Sequence, residues 1–258
     1  MTLAAAQAII SRVFRPTMNV GQIYVRPYGT TTPHMPIGNV LELGLEHTEQ
    51  VITQPNMTQL GGGVHSEVRR VQEAKLKMKI ADLNLTNLAR ACQGTLGAVE
   101  AGTVTAEAHT AQLGGLLRLK HMSPTTVTVK KGEAAETATA VTAAGNYEVR
   151  PEGIYLLPTA AGISNADKLW VGYSFGAYAV MEALTTKAVE LDIVFGGLNE
   201  ADSGNPQIVE IFRASQGVTS ALALLNSGFA ALDVTGTVLM DPTKTGVGIS
   251  KYYKVSST

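Results

Sequence analysis

The sequence predicts an all-β fold carrying one or two short helices. Apolar and polar residues alternate with a period of two along much of the chain, and clusters of turn-forming residues separate the alternating runs. The composition points the same way: the 258 residues are 45% hydrophobic but only 16% charged, with 26 glycines, whereas a helical bundle carries more Glu and Lys. That length gives ample core for one large domain, and all-β folds of this size are often single. No repeat or linker interrupts the pattern. The reading is therefore an N-terminal arm over 1–20 and one domain over 21–258. Low charge density also leaves much of the exterior uncharged, as in subunits that pack on each other.

The elements follow in order. "GQIYVRP" reads as a strand. In "VLELGLEH", Leu41, Leu43 and Leu45 share one face, with Glu42 and Glu46 on the other. "AKLKMKIADL" sets Leu76, Met78 and Ile80 against Lys75, Lys77 and Lys79. "AVELDIVF" sets Val189, Leu191, Ile193 and Phe195 against Glu190 and Asp192. These are half-buried strands, one face on a core and one toward water or a partner. Further strands are expected at "TTVTVKK", "NYEVRPEGIYLL", "QIVEIFRAS", "FAALDVTGTVLM" and "VGISKYYKV", with turns at 61–63, 143–146 and 200–206. One helix is expected in "DLNLTNLARACQG", where Leu85, Leu88, Ala89 and Cys92 form a stripe, Asp82 or Asn84 caps the start and Gly94 ends it. A second is expected in "SALALLNSG", 220–228. Residues 95–115 and 132–145 are rich in Gly, Ala and Thr with weak alternation, and read as long loops or decorated hairpins.

Several chemistries find no support. The net charge of −1 offers no basic excess for nucleic acid, and no polybasic run for a membrane surface. Cys92 stands alone, so no internal disulfide is expected, and its place on the helix stripe suggests a packed, inert thiol. In "MTLAAAQAIISRVFRP" the arginines follow the apolar segment, the reverse of a secretory signal, which suggests synthesis and retention in a reducing cytoplasm. The five histidines lack metal-site spacing, "DSGN" at 202–205 lacks a closing glutamate, and no glycine-rich loop carries a phosphate-cradling lysine. No metal or cofactor is expected.

The stretch "DKLWVGYSFGAYAVMEAL" at 167–184 imitates a nucleophile elbow around Ser174. A hydrolase of that kind needs its histidine after the serine, yet His34, His47, His65, His109 and His121 all precede it. The better reading is two aromatic-rich strands, "KLWVGYSF" and "AYAVMEAL", joined by a tight glycine turn. A serine hydrolase acting through Ser174 remains a minor alternative, and no enzyme is expected.

Four segments taken in order carry a family resemblance. "PHMPIGNVLELGLEHTEQVITQ" is a strand entering a polar stretch, and "VQEAKLKMKIADLNLTNLARACQG" is a strand running into a helix. "LDIVFGGLNEADSGNPQIVEIFRASQG" is a strand, turn and returning strand, and "GFAALDVTGTVLMDP" is a closing strand before an L-x-D-P stop. Over roughly residues 20 to 242 the chain resembles the major tail tube proteins of long-tailed bacteriophages. The resemblance implies a two-sheet β-sandwich with a flanking helix. Six copies would close into a ring whose inner sheets join as a continuous barrel, and rings would stack into the virion's tail tube, the conduit for DNA ejection. It also implies assembly in the host cytoplasm, a tape measure protein inside the tube, tail terminator and tail-tip or baseplate proteins at its ends, and double-stranded DNA passing without tight binding. A long loop over about Thr48–Ser66 would reach an adjacent ring, nominating Gln50, Gln54, Asn56, Gly61, Gly62 and Gly63; the N-terminal arm is a second contact. Because lysines repeated around a bore would trap phosphate, the lumen-facing candidates are Glu42, Glu46, Glu190 and Asp192, with Lys75, Lys77 and Lys79 expected to point elsewhere. A β-sandwich decoration or adhesin module is the other alternative.

Overall fold

The computed structural model describes residues 3–10, 15–225 and 227–258. It is mainly β, with several antiparallel sheets. A short helix α1 (Leu3–Ile10) precedes strands β1 (Asn19–Pro27), β2 (Met35–Pro36), β3 (Val40–Pro55) and β4 (Val64–Ile80), then helix α2 (Leu85–Ala91) and β5 (Thr95–Val99). Next come β6 (Gly102–Thr110), β7 (Leu116–Arg118), β8 (Thr125–Lys131), β9 (Thr139–Val141), β10 (Tyr147–Arg150), β11 (Gly153–Leu156), β12 (Lys168–Phe175) and β13 (Tyr178–Glu182). The chain ends with β14 (Glu190–Asn199), a 3-10 turn at Glu200–Asp202, β15 (Asn205–Gln216), β16 (Leu232–Val238) and β17 (Tyr253–Ser257).

The expected single domain over 21–258 is replaced by two compact units, Met1–Leu96 with Met181–Thr258, and an inserted Gly97–Val180. Both joins fall inside strands, β5 and β13, so there is no Pro- or Ser-rich linker for a sequence reading to detect.

The first unit is built on one sheet in the order β2-β1-β14-β15-β16-β4-β3, with β17 also pairing β15. One face carries the core: Ile23, Val25, Leu76, Met78, Ile80, Leu191, Ile193, Ile211, Leu232 and Val234, joined by Ile37 and by Ala91 of α2. The "AKLKMKI" alternation is realised fully, with Leu76, Met78 and Ile80 each 1% exposed. The "VLELGL" alternation breaks once. A bulge between Val40 and Glu42 throws Leu41 to solvent, while Leu43 and Leu45 still pack on the core.

Helix α2 starts where expected: Asn84 accepts a hydrogen bond from the Asn87 amide. Its buried side differs from the expected stripe. Asn87 is 2% exposed because its amide donates to the Ile37 and Asp82 carbonyls, at 2.7 and 2.8 Å, whereas Leu85 is exposed. The residue in the left-handed region that ends the helix is Gln93 (φ 49°), not Gly94. Gly94 serves a different need, since a Cβ there would sit 2.5 Å from the Glu182 carbonyl oxygen. Cys92 is buried as expected.

The expected helix over 220–228 is absent among the described residues. Leu222 packs on the core, but Leu224 and Leu225 stay exposed, so no apolar stripe offsets the nucleation cost of so short a helix.

The inserted unit places a four-stranded sheet, β6-β12-β8-β9, and a three-stranded sheet, β10-β11-β7, around one core of Leu117, Leu119, Val129, Tyr147, Ile154, Leu156, Leu169, Val171 and Tyr173. Of the segments expected as long loops or decorated hairpins, 95–115 is largely strand, in β5 and β6, and 132–145 contributes only β9 between turns.

Candidate functional site

The polar face of the large sheet gathers the charged residues that sequence reading singled out. Cross-strand partners in an antiparallel pair point to the same side, so the register decides which charges meet. Glu42 lies opposite Lys79, and Lys79 opposite Asp233 on its other side. Gly44, Lys77 and Thr235 form the next row, and Glu46, Lys75 and Thr237 the one after. That last row continues through Ser215 to Glu190. Glu42, Glu46 and Glu190 thus share one face, with Asp192 two residues along β14 from Glu190.

This corrects the expectation for the lysines. Lys75, Lys77 and Lys79 lie on the acids' own face, where Lys77 Nζ approaches Glu42 Oε1 at 3.3 Å and Lys75 Nζ approaches Glu73 Oε2 at 3.5 Å. The other two acids are also matched. Arg213 grips Glu190 with a two-pronged contact at 2.7 and 2.8 Å, which holds the Glu190 carboxyl below its ordinary pKa against the opposing effect of burial. Arg26 binds Asp192 at 2.6 Å, with His34 Nε2 3.3 Å away.

Beyond the face, β3 and β4 continue as a two-stranded arm. The expected loop over Thr48–Ser66 is largely this hairpin, paired from Thr48 opposite Glu73 to Pro55 opposite Val64. Gln50 and Gln54 are strand residues opposite Arg70 and Ser66, and only 56–63 is loop. At the tip, Asn56 Oδ1 accepts from the Thr58 amide and hydroxyl, and the Asn56 amide donates to the Gly63 carbonyl. Gly61, Gly62 and Gly63 all have positive φ and open space around them, which is why glycines stand there. Both faces of the arm are exposed, including Val51, Ile52, Val64, Val68 and Val71, and the tip presents Met57 and Leu60. Of the N-terminal arm candidate, residues 1–2 and 11–14 lie outside the described residues; Arg15 is held by Asp202 at 3.2 Å.

A family model described as Protein of unknown function UCP028589 matches residues 16–256, nearly the whole chain. The chain belongs to that family. No curated protein matches it. In this UCP028589 member the matched span runs through the sheet, the arm and the inserted unit alike.

The elbow stretch resolves into two strands in different sheets. The "KLWVGYSF" strand, β12, pairs with β6 and β8, and the "YAVME" strand, β13, pairs with β5, so the expected hairpin between them does not form. Ser174 lies within β12, not on a strand-to-helix turn, and its hydroxyl is 3.1 Å from that of Thr103. Gly172 is there for space: a Cβ would meet Thr128 Oγ1 at 2.7 Å and the Thr105 carbonyl oxygen at 2.9 Å, beside a bulge in both ladders.

Two polar networks escaped sequence reading. In the first unit, Asp241 of the L-x-D-P stop accepts from the Tyr28 hydroxyl at 2.9 Å and from the Thr243 hydroxyl and amide. Burial pushes its pKa up, but those donors outweigh it and hold the carboxyl below its ordinary value. In the inserted unit, Glu107 accepts from the Tyr173 hydroxyl at 2.6 Å and the Lys120 amide, with His109 Nε2 3.1 Å away. His121 stacks on Phe175 at 3.7 Å and meets the Tyr178 hydroxyl through Nδ1. An L-x-D-P string hints at a turn but not at its tyrosine partner. The second network joins residues more than 50 positions apart, with no spacing rule to announce it. No described helix is long and apolar enough to cross a membrane, and no group of three metal-ligating side chains gathers among the described residues.

Proposed function

We propose that this chain is a self-assembling structural subunit whose copies close into rings and stack as the tail tube of a bacteriophage. The observation that carries the reading is the β3–β4 arm. A two-stranded ribbon in water is marginal by itself, yet this one leaves apolar residues on both faces exposed among the described residues. A second copy covers it most economically, because the same sheet ends in β3, an edge strand of 16 residues with a free side. Ring closure removes such edges.

On this reading the polar face lines the bore, and its lysines are tolerated because acids stand close by: Glu42 and Asp233 opposite Lys79, Glu42 within reach of Lys77, and Glu46 opposite Lys75. Six copies form each ring, a tape measure protein occupies the tube during assembly, and terminator and tip proteins close its ends; DNA passes without tight binding. Negative-stain electron microscopy of the purified chain at high concentration tests the reading. Hollow rings or tubes are the expected result; a chain that stays monomeric, or forms only solid fibres, would overturn it.

A further inference from the structure

A groove of about 360 Å³ lies in the first unit beside α2, lined by Val25, Pro27, Ala89, Val189 and Leu191 together with Arg90 and Lys187. A third cation on its wall, Arg26, is bound to Asp192, but Arg90 and Lys187 have no ion pair among the described residues. Arg15, Arg26, Arg69, Arg150 and Arg213 each hold a carboxylate. Arg90 is half-buried, and among the described residues its guanidinium has one hydrogen bond, to Asn87 Oδ1 at 3.2 Å, and no acid. Burial alone lowers its pKa from the usual arginine value, with no charged neighbour contributing. Lys187, at the exposed rim, likewise has no ion pair among the described residues. Desolvated charges in proteins are normally paired, so an apolar groove with an uncompensated guanidinium suits a carboxylate borne on an apolar segment.

The opposite end of the same strand pair offers one. The β1–β14 ladder runs from Pro27 opposite Leu191, at the groove, to Asn19 opposite Asn199, eight residues or about 27 Å away. There the 3-10 turn presents Glu200, exposed and without an ion pair among the described residues, while its neighbour Asp202 is buried against Arg15. Around it Met18, Val20, Leu198 and Ile208 are exposed apolar side chains. One end of the ladder is a basic apolar groove, and the other an exposed turn that carries Glu200 among exposed apolar side chains.

We propose that the groove beside α2 receives the Glu200 turn of a second copy, joining chains head to tail along the β1–β14 direction. Such a contact uses two different patches, so it propagates instead of closing on itself as a two-fold dimer does. The proposal rests on the self-assembly reading and assigns the surfaces along one direction of it.

Charge reversal tests it. Arg90→Glu, Lys187→Glu and Glu200→Arg are made singly, and Arg90→Glu is combined with Glu200→Arg. Thermal unfolding of dilute protein checks that each variant folds, and Lys187→Glu and Glu200→Arg alter only exposed side chains. Sedimentation velocity and negative-stain imaging then read assembly. Each single reversal is expected to raise the concentration needed for head-to-tail growth roughly tenfold, and the double variant to recover most of that loss. Folded single variants that assemble like the wild type, or a folded double variant with no recovery, would overturn the proposal. Wild-type rings that never stack would overturn it while leaving the ring reading intact. Head-to-tail strings without hollow rings would support it and sink the ring. A strictly monomeric wild type would sink both.

Discussion

Ile52 and Val68 face each other across the β3–β4 arm, and each remains about half exposed, at 48% and 49%. If copies cover the arm, replacing this pair must weaken assembly without touching the stability of the free chain. Ile52→Thr with Val68→Thr keeps two β-branched residues, so the strands are retained. Full burial of an Ile or Val side chain is worth roughly 1.5–3 kcal/mol. With half of each side chain still to be covered, the loss is about 1 kcal/mol per residue, and a buried hydroxyl adds a desolvation cost on top. The pair then costs about 2 kcal/mol per covered arm, or roughly 30-fold in association. Sedimentation velocity over a concentration series measures the shift, and calorimetry of dilute protein should show the free chain's melting temperature unchanged. An assembly midpoint identical to wild type would refute the argument. So would a clear drop in melting temperature, which would mean that the arm is already packed within its own chain.

Of three further predictions, two concern a single side chain and one a set of acids. The Tyr173 phenol is pushed up to about 12 from its ordinary 10.0, first by burial and then by its hydrogen bond to Glu107. The folded state therefore keeps this proton after the unfolded chain has lost it. The resulting stability is complete below pH 10 and falls as pH rises toward 12, by about 1.4 kcal/mol per pH unit. Denaturant midpoints for Tyr173→Phe should fall less steeply than wild type over that window, and an identical slope would count against the assignment. Gln216 is 3% exposed, and neither polar atom of its side-chain amide has a hydrogen-bond partner among the described residues. Gln216→Met should raise stability by about 1–2 kcal/mol, and a lower melting temperature would show that the amide is satisfied after all. Finally, replacing Glu42, Glu46 and Asp233 together by their amides strips acids from beside Lys75, Lys77 and Lys79. Salt-sensitive binding to double-stranded DNA should appear where the wild type shows little, with a log–log slope near −0.9 per phosphate contact; unchanged binding in a folded variant would show that these acids do not mask the lysines.

Period-2 patterning located the main strands of the large sheet where one face was buried, because burial is what the pattern records. "AKLKMKI" and "ELDIV" were legible for that reason, as was the α2 start, where Asn84 bonds locally. The arm was not legible as strand. With both faces in solvent, residues 48–55 and 64–73 have no core to impose alternation, and polar sequence with three glycines at its tip reads as loop. Alternation also orders residues within a strand but is silent on how strands are registered. It grouped Glu42 with Glu46, and Lys75 with Lys77 and Lys79, yet had no means of seeing that the two sets stand opposite each other. The same blindness paired "KLWVGYSF" with "AYAVMEAL" because they are neighbours in sequence, when each finds its partner elsewhere. Arg90 carried no signal at all, since what distinguishes it is the lack of an acid beside it among the described residues.

The register changes the electrostatic argument as well as the geometry. A surface that must not hold nucleic acid was expected to keep its lysines away from it. The sheet instead places Lys79 between Glu42 and Asp233, and Lys75 in line with Glu46 beside Glu73, while Arg26 and Arg213 are bound to Asp192 and Glu190. A phosphate approaching Lys79 also meets the carboxylates of its two cross-strand neighbours, Glu42 and Asp233, which reduces the counterion-release gain. Exposed ion pairs add little to folding stability, and here their consequence lies in neutralising the face locally, over distances shorter than the roughly 8 Å screening length of physiological salt. Such a face stays polar and hydrated without strong attraction or repulsion for a polyanion. An entirely acidic lining would achieve non-adhesion only by repelling DNA, whereas alternating rows achieve it with less long-range field. Removing acids and removing lysines should therefore move DNA binding in opposite directions, which a uniformly acidic face would not do.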